Sequence, residues 1–294
     1  MNVQWYPGHM TKTRRMIVSQ LKNVDAVCEI LDARIPVSSR NPDVDALTAG
    51  KPRLVVLNRV DLSDAAATRA WAEHFRAKGY AVLECDAKSG AGTARFPAAV
   101  RELLAEKLRA YAERGQVGRV VRVMILGIPN VGKSTFINKV AGRKTAKAED
   151  RPGVTRSGQW VPIDKGLELL DTPGILWPKF EDETVGMHLA YTGAVKDEIL
   201  DTETLGCHLT AYLGEHYGAA LQSAYKLDAL PSREAGEDDV AYGYRLLQAA
   251  GRRRGFLISG GEVDTERMAT TLLDEFRSGK LGRFTLELPQ ETET

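Results

Sequence analysis

Gly127-Ile128-Pro129-Asn130-Val131-Gly132-Lys133-Ser134 stands directly after the apolar run Val120–Leu126 and directly before a helical pattern from Lys133 to Ala141. The octet fits G-x-x-x-x-G-K-[ST], the signature of a phosphate-binding loop. Its glycines let backbone amides converge on phosphate oxygens, and the following helix N-terminus adds a favourable field. In that pattern Lys133 bridges the β- and γ-phosphates and the Ser134 hydroxyl is placed for Mg²⁺, with Val131, Gly132 and Thr135 completing the cradle. A glycine-rich turn with a surface lysine is the competing reading, and the strand–loop–helix context disfavours it.

Outward from this loop, short apolar runs alternate with helical patterns. Ala26–Leu31, Leu54–Leu57 and Ala81–Cys85 read as buried strands upstream, with helices over 64–78 and 96–114 between them. Downstream, 159–163 and 167–170 read as two more strands meeting at Asp164-Lys165-Gly166. Alternation of this kind predicts an α/β fold, a mostly parallel sheet with helices on both faces. A short basic helix is expected over 10–22. Beyond about residue 180 strand signals fade, and apolar residues recur at helical spacing through 185–200, 205–217, 219–229, 239–254 and 265–278. The chain therefore divides into a nucleotide-binding domain over 1–180 and a smaller all-helical domain over 181–294.

Two further segments extend the phosphate site. Asp171-Thr172-Pro173-Gly174 ends an apolar strand, where an aspartate holds Mg²⁺ and the glycine amide senses the γ-phosphate. Pro152-Gly153-Val154-Thr155 supplies a hydroxyl in a polar loop, and Thr155 is placed to join Mg²⁺ when the γ-phosphate is present. The base is read elsewhere. Asn58-Arg59-Val60-Asp61 follows Leu54–Leu57, and a carboxylate at Asp61 accepts from both N1–H and N2–H₂ of guanine. Adenine offers neither donor, so it would leave the aspartate unpaired, a strong discrimination. Asn58 is expected to tie this loop to the phosphate loop. In Asp86-Ala87-Lys88-Ser89-Gly90 the Ala87 amide is expected to meet guanine O6, with the Lys88 stem flanking the base. An Asn/Asp turn after a strand is common on its own, and the second segment decides for a guanine site.

In this order the motifs resemble the circularly permuted GTPases, and within them the YlqF/RbgA family of ribosome-assembly GTPases. The resemblance covers nearly the whole chain: WYPGHM at 5–10, DARIP at 32–36, SSRNP at 38–42, NRVD, DAKSG, GIPNVGKST, PGVT, DTPG, GRRRGFLISGGEVD at 251–264 and FRSGKLGR at 276–283. Two positions depart from the pattern. Arg59 replaces the usual lysine of the guanine motif, its stem still able to pack over the base, and Asp86 replaces a serine. Permutation implies that the chain after Gly174 leaves the sheet for the helical domain, tying the phosphate-sensing loop to it covalently. Ile175 stands where small signalling GTPases carry a water-orienting glutamine, and an apolar side chain cannot position water. The resemblance points to His9 as the catalytic group instead; a histidine packed in an N-terminal turn or touching RNA is the alternative. Asn130 matches a position that some relatives use to hold K⁺, and an asparagine that only shapes the loop reads equally well.

Bulk properties are consistent with this. The chain has 294 residues, 43% hydrophobic and 27% charged, with a net charge of +1, which places it among ordinary globular proteins. Cys28, Cys85 and Cys207 lie far apart without zinc or disulfide spacing, as expected in a reducing compartment. With no signal-peptide pattern and no apolar run near ~20 residues, a cytoplasmic, monomeric protein without membrane contact is expected. Basic residues nonetheless cluster: Lys12, Arg14 and Arg15; Arg143, Lys144, Lys147, Arg151 and Arg156; Arg252, Arg253 and Arg254; Arg277, Lys280 and Arg283. Any one is most simply a solvated face, while four together fit phosphate-backbone contact. The resemblance implies the large ribosomal subunit precursor and its rRNA as partner, GTP/GDP as ligand, and hydrolysis stimulated by the particle late in assembly. The competing class is a nucleotide-dependent rRNA-binding scaffold with incidental hydrolysis. A small-molecule kinase would need an acceptor pocket with a base and a lid, and no such motif is evident.

Overall fold

The computed structural model describes residues 7–142, 158–174, 176, 182–195 and 201–289, those of 7–12 by backbone alone. The described residues form two compact units, one running to Glu183 and taking up the chain again from Thr285, the other Thr184–Phe284.

The first unit is built on six strands, β1 Ala26–Asp32, β2 Arg53–Asn58, β3 Ala81–Cys85, β4 Val121–Leu126, β5 Gln159–Asp164 and β6 Leu167–Asp171. Their order across the sheet is β3-β2-β1-β4-β6-β5, all parallel except the β5–β6 hairpin. β1 and β2 are buried along their whole length, which is why both read as continuous apolar runs instead of alternating ones. The chain winds outward from β1 to β3, then returns to the other side of β1 to lay down β4. Right-handed crossovers then place the helices of the outward and return paths on opposite faces. Strand order reverses between β1 and β4, and the loop after β4 opens at that crevice, the position where open α/β sheets bind ligands.

Helices α1 Pro7–Leu21, α2 Asp43–Leu47, α3 Ala65–Ala77, α4 Phe96–Leu103, α5 Ala105–Glu113 and α6 Lys133–Ala141 accompany the sheet. Ile17 of α1 packs with Val27, Met124, Leu126 and Leu170. Trp71, Ala72 and Phe75 of α3 cover Leu31, Val55 and Leu57. Phe96 of α4 meets Phe136 of α6 edge to face at 5.2 Å. Asp64 caps α3 by accepting from the Ala67 amide at 2.8 Å, so the helix starts where the sequence places it. The single helix expected over 96–114 is two, because the chain leaves helical geometry at Leu104 (φ −102, ψ 12).

The second unit holds α7 Glu183–Tyr191 (its first residue belonging to the first unit), α8 Thr202–His216, α9 Gly218–Tyr225, α10 Asp239–Arg254 and α11 Thr265–Ser278. Asp201, Asp238 and Asp264 cap α8, α10 and α11 through their side chains. α8 and α10 approach so closely that a Cβ on Gly243 would lie 1.9 Å from the Cys207 carbonyl oxygen. The expected helix over 185–200 ends at Tyr191, turning at Gly193 with φ +74, a conformation that glycine alone adopts without strain.

One boundary differs from the expectation. Residues 285–289, assigned by sequence to the helical domain, belong to the first unit. Leu286 N donates to Arg34 O at 2.8 Å, and the Trp71 indole Nε1 donates to Glu287 O at 2.8 Å. The tail carries no helical period to betray this, since its residues are placed by pairing with loops far away in sequence.

Candidate functional site: a guanine loop bonded to a phosphate loop

Gly132 is the N-cap of α6, at φ +96, and a Cβ there would lie 2.5 Å from the Asn58 amide nitrogen. Only glycine admits that approach. It allows Asn58 Nδ2 to donate to Val131 O at 2.9 Å, while Asn58 Oδ1 accepts from the Ala87 amide at 3.0 Å. One buried side chain thus joins the NRVD loop, the phosphate loop and the DAKSG loop. Arg59, in left-handed backbone geometry at φ 64, donates through Nη2 to Asn130 O at 2.6 Å. Asn130 is itself left-handed at φ 59. Two non-glycine residues in this region, bonded to each other, concentrate backbone strain at the site.

Two groups assigned to the base carry other bonds here. The Ala87 amide, assigned to guanine O6, is taken by Asn58. The Arg59 guanidinium is committed to the phosphate loop and lies 3.7 Å from Asp32, which leaves the stem, the part expected to pack over the base, as the part that can do so. Asp86 shapes the segment that carries this amide. Its carboxylate accepts from the Lys88 amide at 2.8 Å and the Ser89 amide at 3.1 Å, folding this segment on itself. Those bonds hold the Asp86 pKa below the usual carboxylate range, although burial opposes them.

The carboxylate of Asp61 behaves oppositely. Its Oδ1 is buried with no hydrogen-bond partner among the described residues, and burial first, then repulsion from Asp86, raises its pKa. An acceptor held this way awaits a donor pair such as N1–H and N2–H₂ of guanine.

At the phosphate end, Lys133 is buried, and its Nζ donates to Gly127 O at 3.2 Å and Ile128 O at 3.0 Å, folding back over its own loop. Desolvation lowers its pKa to about 8, against a smaller opposing effect of Asp171. Asp171 is buried at the end of β6, its Oδ1 without a partner among the described residues, and burial raises its pKa despite Lys133. Thr172 Oγ1 donates to Ile125 O at 2.5 Å, pinning the DTPG turn to β4. A Cβ on Gly174 would lie 2.7 Å from Pro129 N, so this turn rests directly on the phosphate loop. Ser134 and Thr135, half-buried in the first turn of α6, complete that end. Thr155 lies outside the described residues, as does the side chain of His9.

An oxygen-only set of the Ser134 hydroxyl and the Asp171 carboxylate, whose Oδ1 has no partner among the described residues, fits Mg²⁺, which takes few protein ligands and completes its shell with water and phosphate oxygens.

Sequence reading missed the support beneath this site. Asp32, fully enclosed at the end of β1, holds Arg34 through bonds of 3.0 and 2.8 Å, accepts the Arg34 amide, and has its own amide bonded to Ser39 Oγ. The Arg34 and Arg59 guanidiniums keep the Asp32 pKa low against burial. The signal was DARIP itself, in which a buried Asp at i and Arg at i+2 form a local pair. Basic residues were misjudged in one place: Arg277 donates to the Ala190 and Tyr191 carbonyls at 2.8 and 3.1 Å, capping the end of α7. Arg254 pairs with Glu275 at 2.7 Å, and all three arginines of that run are exposed.

A phosphate loop at the switch point, bonded to a guanine-reading loop that precedes it in the chain, defines a circularly permuted P-loop GTPase. A family model described as "50S ribosome-binding GTPase" matches residues 122–208. Proteins named ribosome biogenesis GTPase A are 47% identical over 294 residues in Priestia megaterium, covering 100% of this chain and 99% of that protein, and 45% identical over 291 residues in Bacillus cereus, covering 99% and 95%. A crystal structure of GNP-bound YlqF from Thermotoga maritima superposes with a TM-score of 0.62 at 26% identity, covering 95% of this chain and 99% of that one. The chain belongs to the ribosome biogenesis GTPase A family. It binds guanine nucleotide and hydrolyses GTP.

Proposed function

We propose that this GTPase acts as a cytoplasmic, monomeric assembly factor in late maturation of the large ribosomal subunit, with turnover stimulated by the ribosomal particle and its rRNA. The observation that carries it is the Asn58 bond to Val131 O, which joins base-reading and phosphate-binding loops into one site for GTP or GDP. In that site Asp61 reads N1–H and N2–H₂, and Asn58 fixes the distance between base and phosphate loops. Lys133 leaves the Gly127 and Ile128 carbonyls for the β- and γ-phosphates; its low pKa reflects burial, which the smaller effect of Asp171 does not offset. Mg²⁺, when bound, neutralises charge developing on the phosphate oxygens; Ser134 and Asp171 would hold it, with Thr155 joining in the triphosphate state. Gly174 is assigned to sensing the γ-phosphate through its amide, and its close packing on Pro129 of the phosphate loop supports this. His9 is assigned to orienting the attacking water, and Asn130 to holding K⁺ beside the phosphates.

The exposed Arg14, Arg15, Arg252 and Arg253 support contact with rRNA phosphates, as do the relatives' names. Single-turnover GTP hydrolysis measured alone and with large-subunit precursor particles, paired with co-sedimentation in GDP and in a non-hydrolysable analogue, tests the proposal. Faster turnover on the particle and nucleotide-dependent sedimentation are expected. Equal rates with and without particles would overturn the stimulated-hydrolysis reading.

A further inference from the structure

The guanine-reading loop is gripped from two sides by the segment that returns from the helical unit. Thr285 follows directly on Phe284, the last residue of that unit. The buried Thr285 hydroxyl oxygen accepts from the Asp64 amide at 3.1 Å, three residues beyond Asp61. Leu286 N donates to Arg34 O at 2.8 Å. The Glu287 carboxylate accepts from the amides of Val37 at 2.6 Å and Ser38 at 3.0 Å and from the Ser38 hydroxyl. These contacts set the turn 34–38, and the same turn carries Arg34 onto Asp32, which faces Arg59. Arg59 in turn donates to Asn130 O of the phosphate loop. The stretch Asn58–Asp61 is therefore fixed at its start by Asn58 and Arg59 on the phosphate loop, and at its end by the strap on Asp64. Within it the Val60 amide also donates to Cys85 O at 3.3 Å and the Leu62 amide to Arg59 O at 2.9 Å, while the Asp61 Oδ1 atom has no partner among the described residues, so the carboxylate is positioned by the backbone that these bonds and the strap hold.

We propose that Thr285 and Glu287 are positioning residues for guanine recognition: the strap holds Asp61 in register with the base. This rests on Asp61 reading guanine. An isosteric Thr285→Val removes the acceptor of the Asp64 amide, and Glu287→Gln weakens the hold on turn 34–38, without touching any atom of the nucleotide site. Base discrimination is the readout, because a merely structural role would lower melting temperature while leaving the ratio of affinities for two bases on the same phosphates unchanged.

The experiment compares dissociation constants and off-rates of GDP and of IDP, whose base lacks the 2-amino group, in wild type, T285V, E287Q, T285S and D61N, each checked for folding by circular dichroism. T285V is expected to release GDP about tenfold faster and to lose at least threefold of the GDP-over-IDP preference, and T285S to restore both. E287Q is expected to change in the same direction by less. If D61N loses the preference while T285V and E287Q remain within twofold of wild type, the strap has no positioning role and the inference is overturned. If D61N itself keeps the preference, the base-reading assignment of Asp61 fails, and the inference with it. Should T285V not fold, E287Q decides by the same ratio.

Discussion

Replacing Asp61 with asparagine should move two measurable quantities in opposite directions. In the nucleotide-free protein its Oδ1 is buried without a partner among the described residues, and burial and the Asp86 carboxylate raise its pKa. A folded-state pKa above the unfolded value of 3.8 means that the group favours the fold at low pH and loses that contribution as pH rises through the folded value. At pH 7 the ionised carboxylate is therefore a liability to the free protein. Asparagine removes the charge, and for a half-buried group the gain is about 1 kcal/mol, or roughly 2–3 °C in melting temperature for a chain of this size. Binding runs the other way. Each charge-assisted bond from guanine is worth about 1.5–3 kcal/mol, and asparagine keeps one acceptor while turning its NH₂ against the second donor. A loss of about 3 kcal/mol weakens GDP binding roughly 150-fold. Xanthine carries a carbonyl where guanine carries the amino group, so XDP should gain what GDP loses. Displacement of a fluorescent nucleotide by GDP, XDP and ADP, beside thermal melts of the free protein, measures all of this. GDP affinity within threefold of wild type would refute the base-reading role, and a lower melting temperature would refute the electrostatic argument.

Further outcomes follow from the same geometry. Lys133 titrates at about 8 in the free protein, and a bound phosphate raises it, so GDP binding should take up about half a proton at pH 8 and almost none at pH 6.5, with affinity falling as pH rises above about 8; calorimetry in buffers of different ionisation enthalpy reads this directly. Gly174→Ala places a methyl 2.7 Å from Pro129 N and should reduce GTP hydrolysis about 100-fold with GDP affinity nearly unchanged, checked by single-turnover kinetics. Gly243→Ala forces α8 from α10 and should cost about 3 kcal/mol, seen as a lower denaturant midpoint. His9→Ala should lower particle-stimulated turnover while GTP binding stays intact, and wild-type turnover should be higher in K⁺ than in Na⁺ if Asn130 holds the ion.

What the sequence determined by itself was local. Gly-x-x-x-x-Gly-Lys-Ser, the NRVD tetrad and the buried runs before them specify a parallel sheet with a phosphate loop and a guanine loop, because strand burial, helix caps and glycine-dependent turns are written in neighbouring residues. Tertiary structure decided what long-range bonds decide. Nothing adjacent to Ala87 shows that Asn58, 29 residues away, takes its amide, nor that Arg59 bonds a carbonyl 71 residues on. The tail 285–289 has no periodicity, and only its pairing with turn 34–38 and with Asp64 places it on the sheet domain. Arg277 looked like a phosphate ligand until α7 ended against it. A backbone group accepts a partner from any distance along the chain, and that choice is made by packing, which a linear pattern does not encode.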